Sequence, residues 1–188
     1  LRATWRKNAE EERLLGVSLT GIAGNTLMNG MQGVDTLKGT LQQLKQEVID
    51  TNVRYAELLD IAPSVACTTV KPSGTASALA DCSSGIHAWY SDYFIRRVRG
   101  DKKDPLSQLM YYSGVPAEDD YLHPEAMWVF SFPMKAPEGA VHQDARSAIE
   151  QLELYRIYKN NWCEHNVSIT VTVKESEWME VGAYVYKN

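Results

Sequence analysis

Between residues 35 and 60 the apolar side chains Leu37, Leu41, Leu44 and Val48 recur at spacings of four, three and four. This is the spacing of one face of an α-helix, and it predicts an amphipathic helix over 35–60. Asp35 is its expected N-cap, and Pro63 closes it on the far side. A second stripe, Ala145, Ile149, Leu152, Tyr155, Tyr158 and Trp162, steps by three and four and predicts another long helix with its aromatic side chains in the core. Shorter helices are expected over 106–112, ended by Gly114, and over 177–186. Residues 4–13 are polar and read as a short helix end or loop. Other apolar runs are too short for helices and read as strands. They are 14–19, closed by Thr20-Gly21; the β-branched run Val65-Ala66-Cys67-Thr68-Thr69-Val70; 127–133, limited by Pro133; and 166–173. Residues 90–99 alternate imperfectly and read as a further strand. Helices alternating with short apolar strands predict an α/β fold with parallel strands. No repeat or linker divides the chain, so residues 1–188 read as a single partial domain.

Composition narrows the classes of function. At 188 residues and 44% hydrophobic the chain has enough apolar surface for a sizeable core. A net charge of −5 gives no basic footprint, so no nucleic-acid partner is expected. No apolar run approaches the ~20 residues of a membrane helix, and nothing resembles a signal peptide. No membrane partner and a cytoplasmic location are therefore expected. Cys67, Cys82 and Cys163 are too few and too scattered for a disulfide framework or a zinc site, and no metal ligands are assigned. The chain begins at Leu1 inside a charged helical pattern and stops inside the helical pattern of 177–186. It reads as a piece of a longer polypeptide.

The densest chemistry follows the run Val65–Val70. Pro72 stops the strand, and Ser73, Gly74, Thr75 and Ser77 then place three hydroxyls and one permissive backbone position within five residues, ahead of a possible helix start. A strand, a tight hydroxyl-rich turn and a helix start form an anion site, because the free N–H groups of a first helical turn point outward and the helix dipole favours negative charge there. Phosphate is the natural ligand. The plainer reading is that Ser73 or Thr75 simply caps a helix. Neither the P-loop pattern nor Gly-x-Gly-x-x-Gly is present.

Three segments standing in order carry a resemblance: Thr69-Val70-Lys71-Pro72-Ser73-Gly74-Thr75-Ala76-Ser77, Ser83-Ser84-Gly85-Ile86-His87, and Tyr93-Phe94-Ile95-Arg96-Arg97-Val98-Arg99. Together with Glu10–Gly21 and His165-Asn166-Val167-Ser168 they resemble the catalytic chain of ribonucleotide reductases, and most closely its adenosylcobalamin-dependent, class II form. Metal-radical members of the family usually carry Glu where Gly74 stands, which sets that runner-up behind the cobalamin class.

The resemblance implies the second half of a ten-stranded α/β barrel with mostly parallel strands, and conversion of ribonucleotides, of the triphosphate type, to 2′-deoxyribonucleotides. It implies adenosylcobalamin as cofactor of the full enzyme, a ribonucleotide substrate and a thioredoxin-like reductant. It assigns Pro72, Ser73, Gly74, Thr75, Ala76 and Ser77 to the substrate phosphates, with Lys71, Ser84, Gly85 and His87 as possible contributors. Lys71 at a strand end also reads as solvated, and His87 as a hydrogen-bonded structural residue. Arg96, Arg97 and Arg99 either collect phosphate or alternate between solvent and ion pairs. No catalytic residue is assigned: the family's Asn-x-Cys-x-Glu radical loop is absent and is expected to precede Leu1. The three cysteines read as structural. A non-redox α/β module that binds a nucleotide or phosphate is the alternative.

Overall fold

The stripe at Leu37 and Leu41 is buried as its spacing requires. In the computed structural model, which describes residues 2–188, it lies on a helix of 25 residues, Val34–Leu58. In chain order the elements are α1 (Ala3–Glu12), β1 (Val17–Ser18), α2 (Val34–Leu58), β2 (Thr68–Thr69), α3 (Gly74–Leu79), β3 (Tyr93–Asp101), α4 (Pro105–Tyr112), β4 (Ala117–Asp119), β5 (Met127–Lys135), α5 (Ala148–Asn161) and α6 (Trp178–Lys187). Leu37 and Leu41 are completely buried, and Val48 packs at the edge of the same cluster. The cap differs from expectation. Gly33, at φ +110°, precedes the helix, and Asp35 sits inside the first turn, where its charge faces the positive end of the dipole.

α5 is shorter than its stripe. It begins at a capping box: Ser147 Oγ accepts from the Glu150 amide at 3.2 Å, and Glu150 Oε2 accepts from the Ser147 amide at 2.7 Å. Ala145 therefore lies outside the helix. Ala148, Leu154 and Tyr158 carry the buried face, and Trp162 is buried just past the C-terminus. This face meets Leu37 and Leu41 of α2 and Val70 in one core.

β1 and β2 pair in parallel, Val17 with Thr68 and Ser18 with Thr69, and Val70 bridges Val167, also in parallel. The expected strand Val65–Val70 is thus short, and burial begins only at Cys67, with Val65 exposed. The run 14–19 is not a buried strand: Leu14, Leu15 and Val17 are all exposed. Nor is 166–173 a strand beyond Val167. Its backbone groups find a side chain instead, with the Thr172 amide donating to Gln151 Oε1 at 3.0 Å and Gln151 Nε2 donating to the Thr172 carbonyl at 3.1 Å. High β propensity needs a neighbouring strand before it becomes structure.

Residues 2–89 and Pro137–Asn188 form one unit, and Tyr90–Ala136 a second. The second is a three-stranded antiparallel sheet of order β3-β5-β4. The expectation of mostly parallel strands is not met there. Residues 120–126, between β4 and β5, are too few for the crossover that parallel neighbours require. Pro133 does not end β5, because β4 reaches only to Phe130 and leaves that part of β5 with one neighbour. α4 is capped by Asp104, whose Oδ2 accepts from the Ser107 amide at 2.9 Å, with Pro105 at the first helical position. It closes on the sheet at Gly100, where a side chain would collide with Ser107 Oγ and the Phe130 ring. Tyr111 stacks on Trp128 with centroids 4.1 Å apart. The structure is α/β. No helix among the described residues is long and apolar enough to cross a membrane.

Candidate phosphate-binding turn

Burial of Thr68, Thr69 and Val70 fixes the chain that enters the turn. Trp162 Nε1 donates to the Thr69 carbonyl at 2.8 Å, and Thr68 Oγ1 donates to the Trp162 carbonyl at 2.5 Å. Glu164 acts as a surrogate strand partner, its Oε2 accepting from the amides of Cys67 at 2.7 Å and Thr68 at 3.3 Å. At the exit the Lys71 amide donates to Ser18 Oγ at 3.0 Å. Pro72 follows, and α3 starts at Gly74.

Ser73 flanks α3 but does not cap it through its side chain. Its hydroxyl is hydrogen-bonded to Thr20 Oγ1 at 2.7 Å, and its amide donates to Ser84 Oγ at 2.9 Å. Thr20 is the hub. Its Oγ1 donates to the Ser83 carbonyl at 3.0 Å and accepts from the Gly85 amide at 2.9 Å. The first turn of α3 and the turn 83–85 are thereby locked together. The amides of Gly74 and Thr75 have no acceptor within their own helix. Gly74 has φ +37°, and a Cβ built on it meets no atom within 4 Å. Pro72, Gly74, Thr75 and Ala76 are exposed, while Ser77 is buried. Ser83 Oγ is buried beside the turn with no hydrogen-bond partner among the described residues.

Of the other residues singled out in the sequence, Ser84 and Gly85 belong to this assembly. Gly85, at φ +55°, packs so closely on the Lys71 carbonyl that a Cβ would lie 2.8 Å from its oxygen. Lys71 itself is exposed. His87 Nδ1 lies 2.9 Å from the Ser84 carbonyl, which ties the ring to the second turn. Arg97 pairs with Glu118 and Arg99 with Asp120, both across β5. Hydrogen bonding to the Arg99 guanidinium is the main cause that holds the Asp120 carboxyl below its ordinary range, and two backbone amides, from Leu122 and His123, add to it. These arginines follow the ion-paired reading. The sequence reading missed Thr20 and Ser18 as members of the turn. Their signal was the hydroxyls of the Gly16–Gly21 segment, a long way from Ser73 in the chain.

Two of the three cysteines, Cys67 and Cys163, are buried. Burial pushes the Cys163 thiol up to about 11, and burial, then Glu164, raises that of Cys67, so neither supplies a thiolate near neutrality. All three are free thiols. Among the described residues no cluster of His, Cys, Asp or Glu is suited to a metal ion. The larger unit also holds a cavity of about 290 Å³ beside His87 and Arg146. An apolar groove of about 490 Å³ lies between α2 and the β1 segment.

No family model matches the chain. It is 31% identical over 203 residues to the adenosylcobalamin-dependent ribonucleoside-triphosphate reductase of Levilactobacillus brevis, covering 94% of this chain and 27% of that protein. It is 29% identical over 208 residues to the Lactobacillus gasseri protein of the same name, covering 97% of this chain and 28% of that one. A crystal structure of a B12-dependent (class II) ribonucleotide reductase superposes on 96% of this chain and 29% of its own, with a TM-score of 0.81 and 26% identity. The chain therefore spans just over a quarter of the length of the curated relatives it matches. In sequence and in fold the chain is thus similar to part of adenosylcobalamin-dependent, class II ribonucleotide reductases.

Proposed function

We propose that the chain is part of an enzyme that reduces ribonucleoside triphosphates to 2′-deoxyribonucleotides, and that it contributes the cradle for the substrate's phosphates. The observation that carries this reading is the turn 72–77. The first amides of α3 lack an acceptor within the helix, nothing crowds a side chain at Gly74, and the hydroxyls of Thr20, Ser73 and Ser84 hold the turn rigid. Donors fixed before the anion arrives bind it without the cost of ordering them. The relatives' common name favours the triphosphate and disfavours a non-redox binding module. In this reading the segment belongs to the second half of a ten-stranded barrel and acts in the cytoplasm, with a thioredoxin-like protein as reductant and neither nucleic acid nor membrane as partner.

Adenosylcobalamin is the cofactor named for the relatives. The cavity and the groove of the larger unit, about 290 and 490 Å³, are each too small for a corrin with its nucleotide tail, and no residue here is assigned to it. The work of this segment is to bind and orient phosphate. The 188-residue chain by itself is accordingly expected to give no dCTP from CTP when supplied with adenosylcobalamin and a dithiol. Detectable turnover would overturn the division of labour proposed here.

In the full-length enzyme Gly74→Glu should raise the substrate KM about tenfold, while Cys82→Ser leaves turnover near wild type. A like charge ~4 Å from phosphate costs about 4 kcal/mol at an effective dielectric near 20. Screening at this exposed turn reduces that to about 1.4 kcal/mol, which is tenfold. Space is available for the side chain and the positive φ adds only about 1 kcal/mol of backbone cost, so a partial loss is expected and not collapse. Steady-state kinetics on both variants decide it. A silent Gly74→Glu beside an inactive Cys82→Ser would reverse the assignment.

A further inference from the structure

The cavity of about 290 Å³ lies apart from the phosphate turn and has a charge of its own. Ala23, Ile86, Val141, Leu154 and Ile169 give it an apolar wall, and Arg146 brings a guanidinium to it. That guanidinium is half-buried, and desolvation lowers its pKa, partly offset by Glu150. It remains a cation near neutrality.

Its partners do not neutralise it. Arg146 Nη2 donates to the Asn29 carbonyl. Glu150 is engaged with the Ser147 amide and makes no ion pair with Arg146. A guanidinium offers five N–H donors in a planar fork, so most of this one's capacity is unused. The fork is also held in place. Asn29 is 1% exposed, its Oδ1 accepting from the Met31 amide at 3.0 Å. The Arg146 carbonyl accepts from Gln151 Nε2 at 3.3 Å. His87 lines the same cavity while its Nδ1 is committed to Ser84, which leaves Nε2 as the edge available to a ligand.

We propose that this cavity binds a small organic oxyanion, its carboxylate or phosphate received by the fork of Arg146 and its apolar body laid against Ile86, Leu154 and Ile169. A half-buried cation whose nearby carboxylate, Glu150, is bound to the Ser147 amide and not to the guanidinium favours an anionic guest, and Arg matches the two oxygens of carboxylate or phosphate with parallel hydrogen bonds. The volume is at the lower end for ligand pockets and suits a compact molecule, not a nucleotide. The site is separate from the turn 72–77 and does not depend on the function proposed for it.

Benzoate and phenyl phosphate are the probes, with inorganic phosphate as the arm lacking an apolar body. Each is titrated into the 188-residue chain by thermal shift and by NMR of the arginine Nε–H signals. Saturable binding of benzoate or phenyl phosphate in the millimolar range or tighter is expected, with inorganic phosphate weaker. Arg146→Gln should weaken it at least tenfold, and Arg146→Lys, which keeps the charge and loses the fork, should fall between. Thr75→Ala, in the turn, should leave it unchanged. The inference is overturned if no probe binds, if Arg146→Gln binds as tightly as wild type, or if Thr75→Ala removes binding. Should Arg146→Gln fail to fold, movement of the Arg146 Nε–H signal in the unmodified chain decides the matter, and its absence at saturation overturns the proposal.

Discussion

Gly85→Ala is expected to destabilise the larger unit by about 3 kcal/mol and to open the turn 72–77. Two costs add. The residue holds φ +55°, where a Cβ costs roughly 1 kcal/mol or more. That Cβ would also sit 2.8 Å from the Lys71 carbonyl oxygen and 3.5 Å from Val70 Cγ1. The obstacle is backbone, not the end of a flexible side chain. It is pinned by the Lys71 amide bond to Ser18 and by the buried Val70, so relief requires the two turns to separate, at about 2 kcal/mol. Separation carries Ser84 away from the Ser73 amide and Thr20 away from the Gly85 amide. Gly139→Ala is the control, because Gly139 has φ +74° with nothing within 4 Å and shows the backbone cost alone. Urea unfolding of both variants gives the comparison. Equal losses at the two positions would show that Gly85 matters for its dihedral only and that the contact with Lys71 yields freely.

Trp162→Ala should cost about 4 kcal/mol, a large share of the 5–15 kcal/mol by which domains are stable. Trp162 is 1% exposed and stands where α5, β2 and the segment 163–168 meet. Truncation leaves a cavity and strips the buried Thr69 carbonyl of its indole donor. Trp162→Phe separates the effects, since most of the volume stays and only the donor goes, and a loss of about 1–2 kcal/mol is expected. Chemical denaturation resolves both. A loss below about 1.5 kcal/mol for Trp162→Ala would mean that the core closes over the gap and that Trp162 does not hold β2 in place.

The helices were legible because their signal is repeated. Leu37, Leu41, Leu44 and Val48 mark α2 over about three turns, so the inference survives the exposure of Leu44. Strands of two residues hold no such redundancy. The run 14–19 has the composition of a buried strand, yet only Val17 and Ser18 pair, and both residues stay exposed. In 166–173 the β-branched residues state a preference that nothing on the far side satisfies, and Gln151 takes the backbone groups of Thr172. The antiparallel sheet was hidden by β4. Three residues leave no periodicity to read, and they reverse the apparent strand–helix–strand order. At the candidate site, Ser73–Ser77 and Ser84-Gly85 are each local in the chain, and their hydroxyls and glycines stand out in the sequence. Thr20 joins them by a contact spanning 53 residues, which periodicity cannot see.

Glu164 and its neighbours have a consequence for how the chain acquires its structure. Thr69 Oγ1 donates to the Asn166 carbonyl across a separation of 97 residues, and the bonds of Glu164 to Cys67 and Thr68 span 97 and 96. During synthesis the run 65–70 therefore leaves the ribosome long before the residues that satisfy it. Closing so large a loop is slow relative to helix formation, so α2 forms early while an apolar, β-prone stretch waits unpaired. Such a stretch is a template for association with other nascent chains until residues 162–168 arrive. The segment that completes the strand leading into the turn 72–77 is thus also the one that ends this exposed interval.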